Sequence, residues 1–362
     1  SYMGSRLKTL NEYCAICDEP HSFGSMIQPT VCTRPLCSFR FATFGKLIVG
    51  AEDLVVNSGV LELLVATTTL AANSQRAEHI FDPFPAVPKT AGSQELALDP
   101  AHKGDHLALA REILSKYPSF ELINAKMLGG DHSGLKKMMD DAHELGYPLL
   151  EWIRTSNRAH LASVPARLHL SRLRTKHQFV MISAPPDRQV KFDELKANHG
   201  TTFLWHGSAP ENWHGILRYG LKNASNTNLM TAGAVHGPGI YLSPQGALSM
   251  NYSRMHHQQG QQQPAPQLPG SQAQSNVFLG STQLRLLALC EVANVPTLRE
   301  PVKGQIWVAP DEESVVTRFL FAFPSGTQFQ DASSSLDSQT PVFESEVRHC
   351  LSSLANIAGA YS

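Results

Sequence analysis

The sequence lacks a long apolar run, a strong excess of charge and any sign of a secretory leader. Nowhere does it approach the roughly 20 consecutive apolar residues that a bilayer-spanning helix needs, and its first residues lack the basic-then-apolar pattern of a signal peptide. Its 30 Lys and Arg side chains nearly balance 31 Asp and Glu. No whole-chain charge therefore draws it to nucleic acid or anionic lipid, and we expect neither a membrane partner nor a strong nucleic-acid signal.

Cysteine is also scarce, but four of the six cysteines fall within the first 37 residues. They form two short motifs, Cys14-x2-Cys17 and Cys32-x4-Cys37. Without a signal peptide, such crowding favours a metal over disulfides and indicates a reducing compartment, cytoplasmic or nuclear. Four thiolates can complete a closed, structural zinc site, in which His21 is an alternative ligand. Buried cysteines or disulfides are the other interpretations.

Differences in composition and in the spacing of apolar residues along the chain predict three parts. Residues 1–45 form a Cys-rich zinc-binding knot, residues 46–175 are mainly helical, and residues 176–362 form a domain rich in strands. Ser58 is a suitable N-cap for the first helix, because a run of apolar residues with helical spacing follows it. The Gln/Pro-rich segment 256–280 is too polar to form a core, so we expect a flexible insertion there.

The third part shows short apolar runs bounded by turn residues, which predict strands. They cover residues 177–183, 202–205, 239–242, 284–292, 305–308 and 315–323. Several short strands with few intervening helices favour an α+β fold.

The first motif with chemical meaning is Trp205-His206-Gly207-Ser208, followed by Glu211. It predicts a strand that ends at His206 and then a short helix whose first turn is capped reciprocally by Ser208 and Glu211. A glycine at a strand end lets a ligand approach the backbone closely. Taken alone, a histidine in such a position is more often structural than functional, and this segment by itself favours that interpretation of His206.

The second motif runs from Gly237-Pro-Gly239 to Tyr241 and then to Ser249 and Tyr252. The glycines allow a tight turn into a strand that presents Tyr241. Ser249 and Tyr252 are three residues apart on a predicted helix and so share one face. Two aromatic side chains can flank a flat ring while the Ser249 hydroxyl binds an amide, which suits a nicotinamide.

In this order and spacing, the two motifs resemble the catalytic domain of PARP-type (diphtheria-toxin-like) ADP-ribosyltransferases. The motif-level resemblance covers roughly residues 195–325, and the later segments 287–292 and 303–304 fit it as well. The Cys-containing N-terminal region and residues 148–153 and 157–160 further resemble the branch that contains the human types six and eight. The resemblance implies a split antiparallel β-sheet, NAD⁺ as substrate and acceptor proteins, including the chain itself, as partners.

The resemblance also implies roles for individual residues. His206 and Tyr241 would occupy catalytic positions, with His206 orienting the ribose next to the nicotinamide. Nicotinamide and adenosine would be bound by a second set of residues: Gly207, Ser208, Asn212, Ser249 and Tyr252.

The third catalytic position of the family is often a glutamate on a late strand. Here Phe319 aligns with it, or Phe323 in the other register, and neither side chain can accept a hydrogen bond. We therefore expect transfer of a single ADP-ribose unit rather than chain elongation. A catalytically weak scaffold that binds NAD⁺ or ADP-ribose is the alternative function. An RNA 2′-phosphotransferase of related fold is a third, but it would need basic residues around a phosphate, and the motif strands offer none.

Overall fold

The computed structural model describes residues 13–14, 17–20, 58–90, 93, 95–157, 159–225, 227, 235–253, 284–324 and 337–360. The expected zinc ligands Cys32 and Cys37, the alternative ligand His21 and the segment 256–280 lie outside these residues. The described part combines helices with antiparallel sheets, as the α+β prediction requires. None of its helices is long and apolar enough to cross a bilayer.

A helical layer comes first in the chain, and its central element is α1, Ser58–Asn73. Ser58, the predicted N-cap, is the first described residue of this helix. Leu63, Ala66, Thr67 and Thr68 are fully buried. Since apolar and small residues surround its axis, α1 forms the core of the layer. Four helices of the layer pack against it: α2 (Ala77–Ile80), α3 (Lys103–Ser115), α4 (Phe120–Leu128) and α6 (Gly146–Thr155). Helix α5 (His132–Ala142) packs against α4 and α6.

The main sheet has five antiparallel strands: β3 (His160–Ser163), β4 (His177–Ser183), β5 (Thr201–Gly207), β7 (Leu284–Ala293) and β10 (Val315–Pro324). Across the sheet their order is β3-β4-β10-β7-β5. Four of them were predicted to within two residues, whereas β3 was assigned to the helical part. The sheet therefore begins before residue 176.

A second, smaller sheet joins the end of β5. Its order is β6-β9-β8, with β6 at Ile240–Leu242, β8 at Arg299–Val302 and β9 at Ile306–Ala309. Trp205 of β5 and Ser243, just after β6, connect the two sheets by exchanging backbone hydrogen bonds of 2.7 and 2.9 Å. This junction places the His206 and Tyr241 motifs beside each other.

The described residues also include a short hairpin and four further α-helices. The hairpin pairs β1 (Val87–Pro88) with β2 (Leu96–Leu98). The helices are α7 (Pro186–His199), α8 (Trp213–Tyr219), α9 (Gly246–Met250) and α10 (Pro341–Ala360).

The main sheet separates two hydrophobic cores. Paired residues on neighbouring strands point to the same face, and successive residues of one strand point to opposite faces. His206 lies in a row with Ala288, Leu320 and Phe179, three residues that belong to the core shared with the helical layer. Trp205 lies in the next row, whose members Leu289, Phe319 and Val180 pack into the core below α10.

Candidate active site

His206 is fixed at the end of β5 by the strand that carries Tyr241. Its Nδ1 atom lies 2.9 Å from the carbonyl oxygen of Tyr241. A carbonyl only accepts hydrogen bonds, so Nδ1 carries the proton, and Nε2 of the neutral ring is an acceptor. Burial lowers the pKa of His206, and this effect outweighs that of the hydrogen bond to the Tyr241 carbonyl, which raises the pKa. His206 is therefore a neutral imidazole of defined tautomer at pH 7.

Tyr241 is held through its hydroxyl as well as its backbone. The hydroxyl donates to the Gly237 carbonyl at 2.8 Å and accepts from the His236 amide at 2.9 Å. Both partners belong to the turn that precedes β6, in which Gly237 has a φ of +89°. The sequence predicted a tight turn here, and the structure adds that the phenol of Tyr241 closes it.

Gly207 brings the backbone of β5 against α9. A Cβ atom on Gly207 would lie 1.7 Å from the Ser249 carbonyl oxygen. Only glycine can occupy this position, because a backbone atom cannot move out of the way as a side chain could. Ser249 is buried, and its hydroxyl donates to the Trp205 carbonyl at 3.1 Å. The two residues expected to hold a carboxamide are thus adjacent.

Tyr252 follows α9 rather than lying on it. The helix ends at Met250, and the amide of Tyr252 donates to the Ser249 carbonyl at 3.1 Å in the turn after it. Tyr252 is 56% exposed, whereas Ser249 is 5% exposed. The expectation that both residues share one helix face is wrong, because the helix is shorter than predicted. An exposed ring beside the Ser249 segment nevertheless offers a flat surface for stacking.

Ser208 and Asn212 interact with each other. The Asn212 Nδ2 group donates to the Ser208 hydroxyl at 3.0 Å. The predicted capping box is absent from the described contacts, because the segment starts with a 3₁₀ turn at Pro210–Asn212 without a side-chain cap. Trp213 supports this turn, with its indole N–H 3.3 Å from the Ser208 carbonyl and its ring edge-on to His206 at 6.4 Å.

Phe319 lies away from these residues. It is fully buried, stacks on Phe321 with ring centroids 5.9 Å apart, and faces the core below α10. His206 lies on the opposite face of the sheet, so Phe319 is not positioned for the third catalytic role that the sequence suggested. Phe323 is also buried in that core.

A different late strand lies beside Tyr241. In the small sheet Val308 of β9 pairs with Tyr241. Ile306 is two residues away on β9, so the alternation of strand residues places it on the face that carries Tyr241. Ile306 is partly exposed. Sequence reasoning missed this position because it took β10, rather than β9, as the strand next to the site. The side chain there is also apolar.

Helix α8, which follows the His206 motif, is anchored in the helical layer by a buried polar network. His214 Nε2 donates to the Pro83 carbonyl at 2.9 Å, and its Nδ1 lies 3.0 Å from the Thr68 hydroxyl and 3.1 Å from an Arg218 nitrogen. Arg218 donates further to the carbonyls of His214 and Ile153. Burial, followed by the charge of Arg218, keeps the pKa of His214 well below its ordinary value. Burial lowers the pKa of Arg218 to about 9, so it stays cationic at pH 7.

At the N-terminus, Cys14 and Cys17 lie in a tight loop. The Cys14 carbonyl accepts from the Asp18 amide and the Cys14 amide donates to the Glu19 carbonyl, both at 2.9 Å. Cys14 is buried and Cys17 partly buried. Such a loop can present two thiolates to one metal ion. Within the described residues, however, no three His, Cys, Asp or Glu side chains are grouped to hold a metal.

Comparison with known proteins agrees with this geometry. A family model described as the poly(ADP-ribose) polymerase catalytic domain matches residues 175–317, a range that includes Ile306 and stops before Phe319. Protein mono-ADP-ribosyltransferase PARP8 from mouse is 39% identical over 334 residues, covering 89% of this chain and 38% of PARP8. Human PARP8 gives the same values. Poly [ADP-ribose] polymerase 1 of Xenopus laevis is 30% identical over 130 residues, or 35% of this chain and 12% of that protein.

The chain thus spans about two fifths of the length of its PARP8 relatives, with 38% of each covered. The family model covers both motifs and both sheets except for β3 and the end of β10. Residues 175–317 thus match the poly(ADP-ribose) polymerase catalytic-domain family.

Proposed function

We propose that the chain is an NAD⁺-dependent protein mono-ADP-ribosyltransferase. The observation that carries the proposal is the hydrogen bond between His206 and the Tyr241 carbonyl, beside the close contact of Gly207 with Ser249. This arrangement combines a neutral imidazole, a buried hydroxyl and, in Tyr252, an exposed aromatic ring. The identity to PARP8, whose name gives this activity, supports the same function.

In the proposed reaction, the bond between nicotinamide N1 and ribose C1 breaks, and its electron pair leaves with neutral nicotinamide. A nucleophilic atom of the acceptor side chain forms the new bond to C1 and loses its proton. Positive charge develops on the ribose as this bond breaks. A site that holds the substrate in a fixed geometry lowers the activation barrier, because little reorganisation is needed to reach the transition state.

Each residue of the site has a role in this proposal. Nε2 of His206 accepts a hydrogen bond from a ribose hydroxyl. The Gly207 backbone and the Ser249 hydroxyl hold the carboxamide, for which Ser249 must exchange its bond to Trp205. Tyr241 and Tyr252 pack on the two sides of the nicotinamide ring, and the Ser208–Asn212 pair lies toward the adenosine.

Product length follows from the side chains near Tyr241. Elongation needs a group that activates a hydroxyl of the ribose already attached, and a carboxylate suits this task. Ile306 and Phe319 both lack an acceptor atom, so either assignment of the third position favours transfer of one unit. Acceptor proteins, including the chain itself, remain part of the proposal.

Labelled NAD⁺ tests the function directly. Incubation of the purified chain with NAD⁺ carrying the label on adenosine should place label on protein and release one nicotinamide per transfer. His206→Ala should abolish most of this transfer, while His169→Ala is a control in which an imidazole outside the site is removed. Binding of NAD⁺ without transfer under any condition would instead favour the scaffold.

We further propose that Cys14, Cys17, Cys32 and Cys37 bind one structural zinc ion. The Cys14–Asp18 loop supports half of such a site, since adjacent thiolates on a short turn are the usual zinc-binding element. Zinc would add folding energy and would take no part in the transfer. Elemental analysis of unchelated protein should find about one zinc per chain, and a Cys14→Ser, Cys17→Ser variant should lose it.

A further inference from the structure

The turn formed by residues 236–239, here called the tyrosine turn, closes on the hydroxyl of Tyr241. That hydroxyl binds the Gly237 carbonyl and the His236 amide at 2.8 and 2.9 Å. Two glycines lie in the turn, and Gly237 has a positive φ. A turn rich in glycine gains little rigidity from its own backbone, so it needs outside contacts to keep one conformation.

Arg299, at the start of β8, supplies those contacts. Its two terminal nitrogens donate to the carbonyls of His236 at 3.3 Å and of Pro238 at 3.0 Å. A Cβ atom on Gly237 would lie 3.1 Å from the same guanidinium, so the glycine leaves room for Arg299 to lie against the turn. A planar guanidinium can reach two carbonyls at once, which a lysine ammonium cannot do with the same geometry.

The small sheet explains why Arg299 and Tyr241 meet the same turn. Arg299 pairs with Val308, and Val308 pairs with Tyr241, so the three residues form one row across the sheet. Residues paired in this way share a face. The guanidinium of Arg299 and the phenol of Tyr241 therefore lie on the same face of the small sheet, on either side of Val308. Both groups hydrogen-bond to the tyrosine turn.

From these contacts we propose that Arg299 is a positioning residue for the nicotinamide site. It holds the tyrosine turn, and the turn fixes the plane of the Tyr241 ring, which the proposed function places against nicotinamide. Arg299 itself touches no substrate. The inference rests on the proposed function, because an orientation of Tyr241 matters to activity only if this ring contacts the substrate.

A double-mutant cycle with Arg299→Ala and Tyr241→Phe tests the proposal. Arg299→Ala should raise the dissociation constant for benzamide and the KM for NAD⁺ by roughly fivefold, a modest effect because Arg299 is exposed and acts only through the turn. In the Tyr241→Phe background the same change should have less than about a twofold effect, because the ring no longer binds the turn. Arg299→Lys should give an intermediate value.

The matched control is Arg111→Ala. Arg111 also donates to a backbone carbonyl, that of Ala72 at 2.7 Å, but it does so inside the helical layer. Its loss should leave benzamide binding unchanged, and Arg299→Ala should leave the melting temperature nearly unchanged because Arg299 is exposed.

Additive effects of Arg299→Ala and Tyr241→Phe, or unaltered benzamide binding in Arg299→Ala, would overturn the inference alone. A wild-type chain that binds neither benzamide nor NAD⁺ would overturn the proposed function together with it.

Discussion

The imidazole of His206 donates its Nδ1 proton to the carbonyl oxygen of Tyr241 across a distance of 2.9 Å. This bond joins the main sheet to the small one at the candidate site. It also decides the chemistry of the ring, since Nε2 becomes the acceptor. The tautomer of His206, the proposed catalytic histidine, is thus defined by a backbone contact with Tyr241, the second proposed catalytic residue.

The first prediction concerns the pH dependence of activity. Because burial lowers the pKa of His206 below the ordinary value of about 6.5, the ring remains neutral as pH falls to that value. The kcat/KM for NAD⁺ should be level between pH 7 and 8 and fall only below about 6.5. Nitrogen NMR of the ring should show a protonated Nδ1 and the same acidic midpoint. A His206 midpoint above 7 would contradict this account.

The second prediction separates ring binding from turnover. Tyr252→Ala should weaken benzamide binding more than His206→Ala does, because it removes a stacking surface that contributes about 0.5–1.5 kcal/mol beyond burial. His206→Ala should instead lower kcat, since ribose orientation matters most in the transition state. Tyr219→Ala, which removes another partly exposed tyrosine, serves as the control. Equal and small effects of the two site changes would place the site elsewhere.

The third prediction concerns stability in acid. His214 has a folded-state pKa well below its unfolded value, so the unfolded chain takes up its proton first as pH falls. The contribution of neutral His214 to the free energy of unfolding is therefore complete above about pH 6.5. Below that pH the contribution declines, by at most about 1.4 kcal/mol per pH unit. Denaturant unfolding between pH 7.5 and 5 should show a shallower loss in His214→Asn than in the wild type. His199→Asn is the control at an exposed histidine, and an unchanged slope in His214→Asn would contradict the assignment.

The fourth prediction compares the stability cost of a carboxylate at Phe319 and at Ile306, the two candidates for the third position. Phe319→Glu puts a carboxylate into a closed hydrophobic core and should destabilise the fold by several kcal/mol, roughly 3 or more. Ile306→Glu places the same group on a partly exposed strand beside Tyr241 and should cost far less. Thermal unfolding of both variants measures the difference. Similar melting temperatures would mean that Phe319 is less enclosed than the structure shows.

Local patterns predicted much of this fold. The apolar runs and bounding turns of residues 177–183 and 284–292 identified β4 and β7 because both are buried central strands with clear ends. The hairpin of β1 and β2 lies in the part predicted as mainly helical and was not predicted, since strands of two and three residues carry no periodicity. The helix α10 at residues 341–360 was not predicted either.

The site was predictable where one motif determines it. Gly207 and Tyr241 lie where the spacing indicated. The third position depends on which strand neighbours β6, a long-range pairing that no local pattern encodes, and for this reason the sequence pointed to Phe319 of β10 rather than to β9. The anchoring of α8 by His214 and Arg218 joins residues more than 60 positions apart, from His214 to Thr68 and from Arg218 to Ile153. Only the folded chain brings them together.

The most direct test of the central claim is the mass of modified peptides after incubation of the wild-type chain with NAD⁺. The account predicts a single ADP-ribose increment at each modified side chain, with equimolar release of nicotinamide. A ladder of increments on one side chain would contradict transfer of a single unit, and unmodified peptides from a chain that still binds NAD⁺ would contradict catalysis.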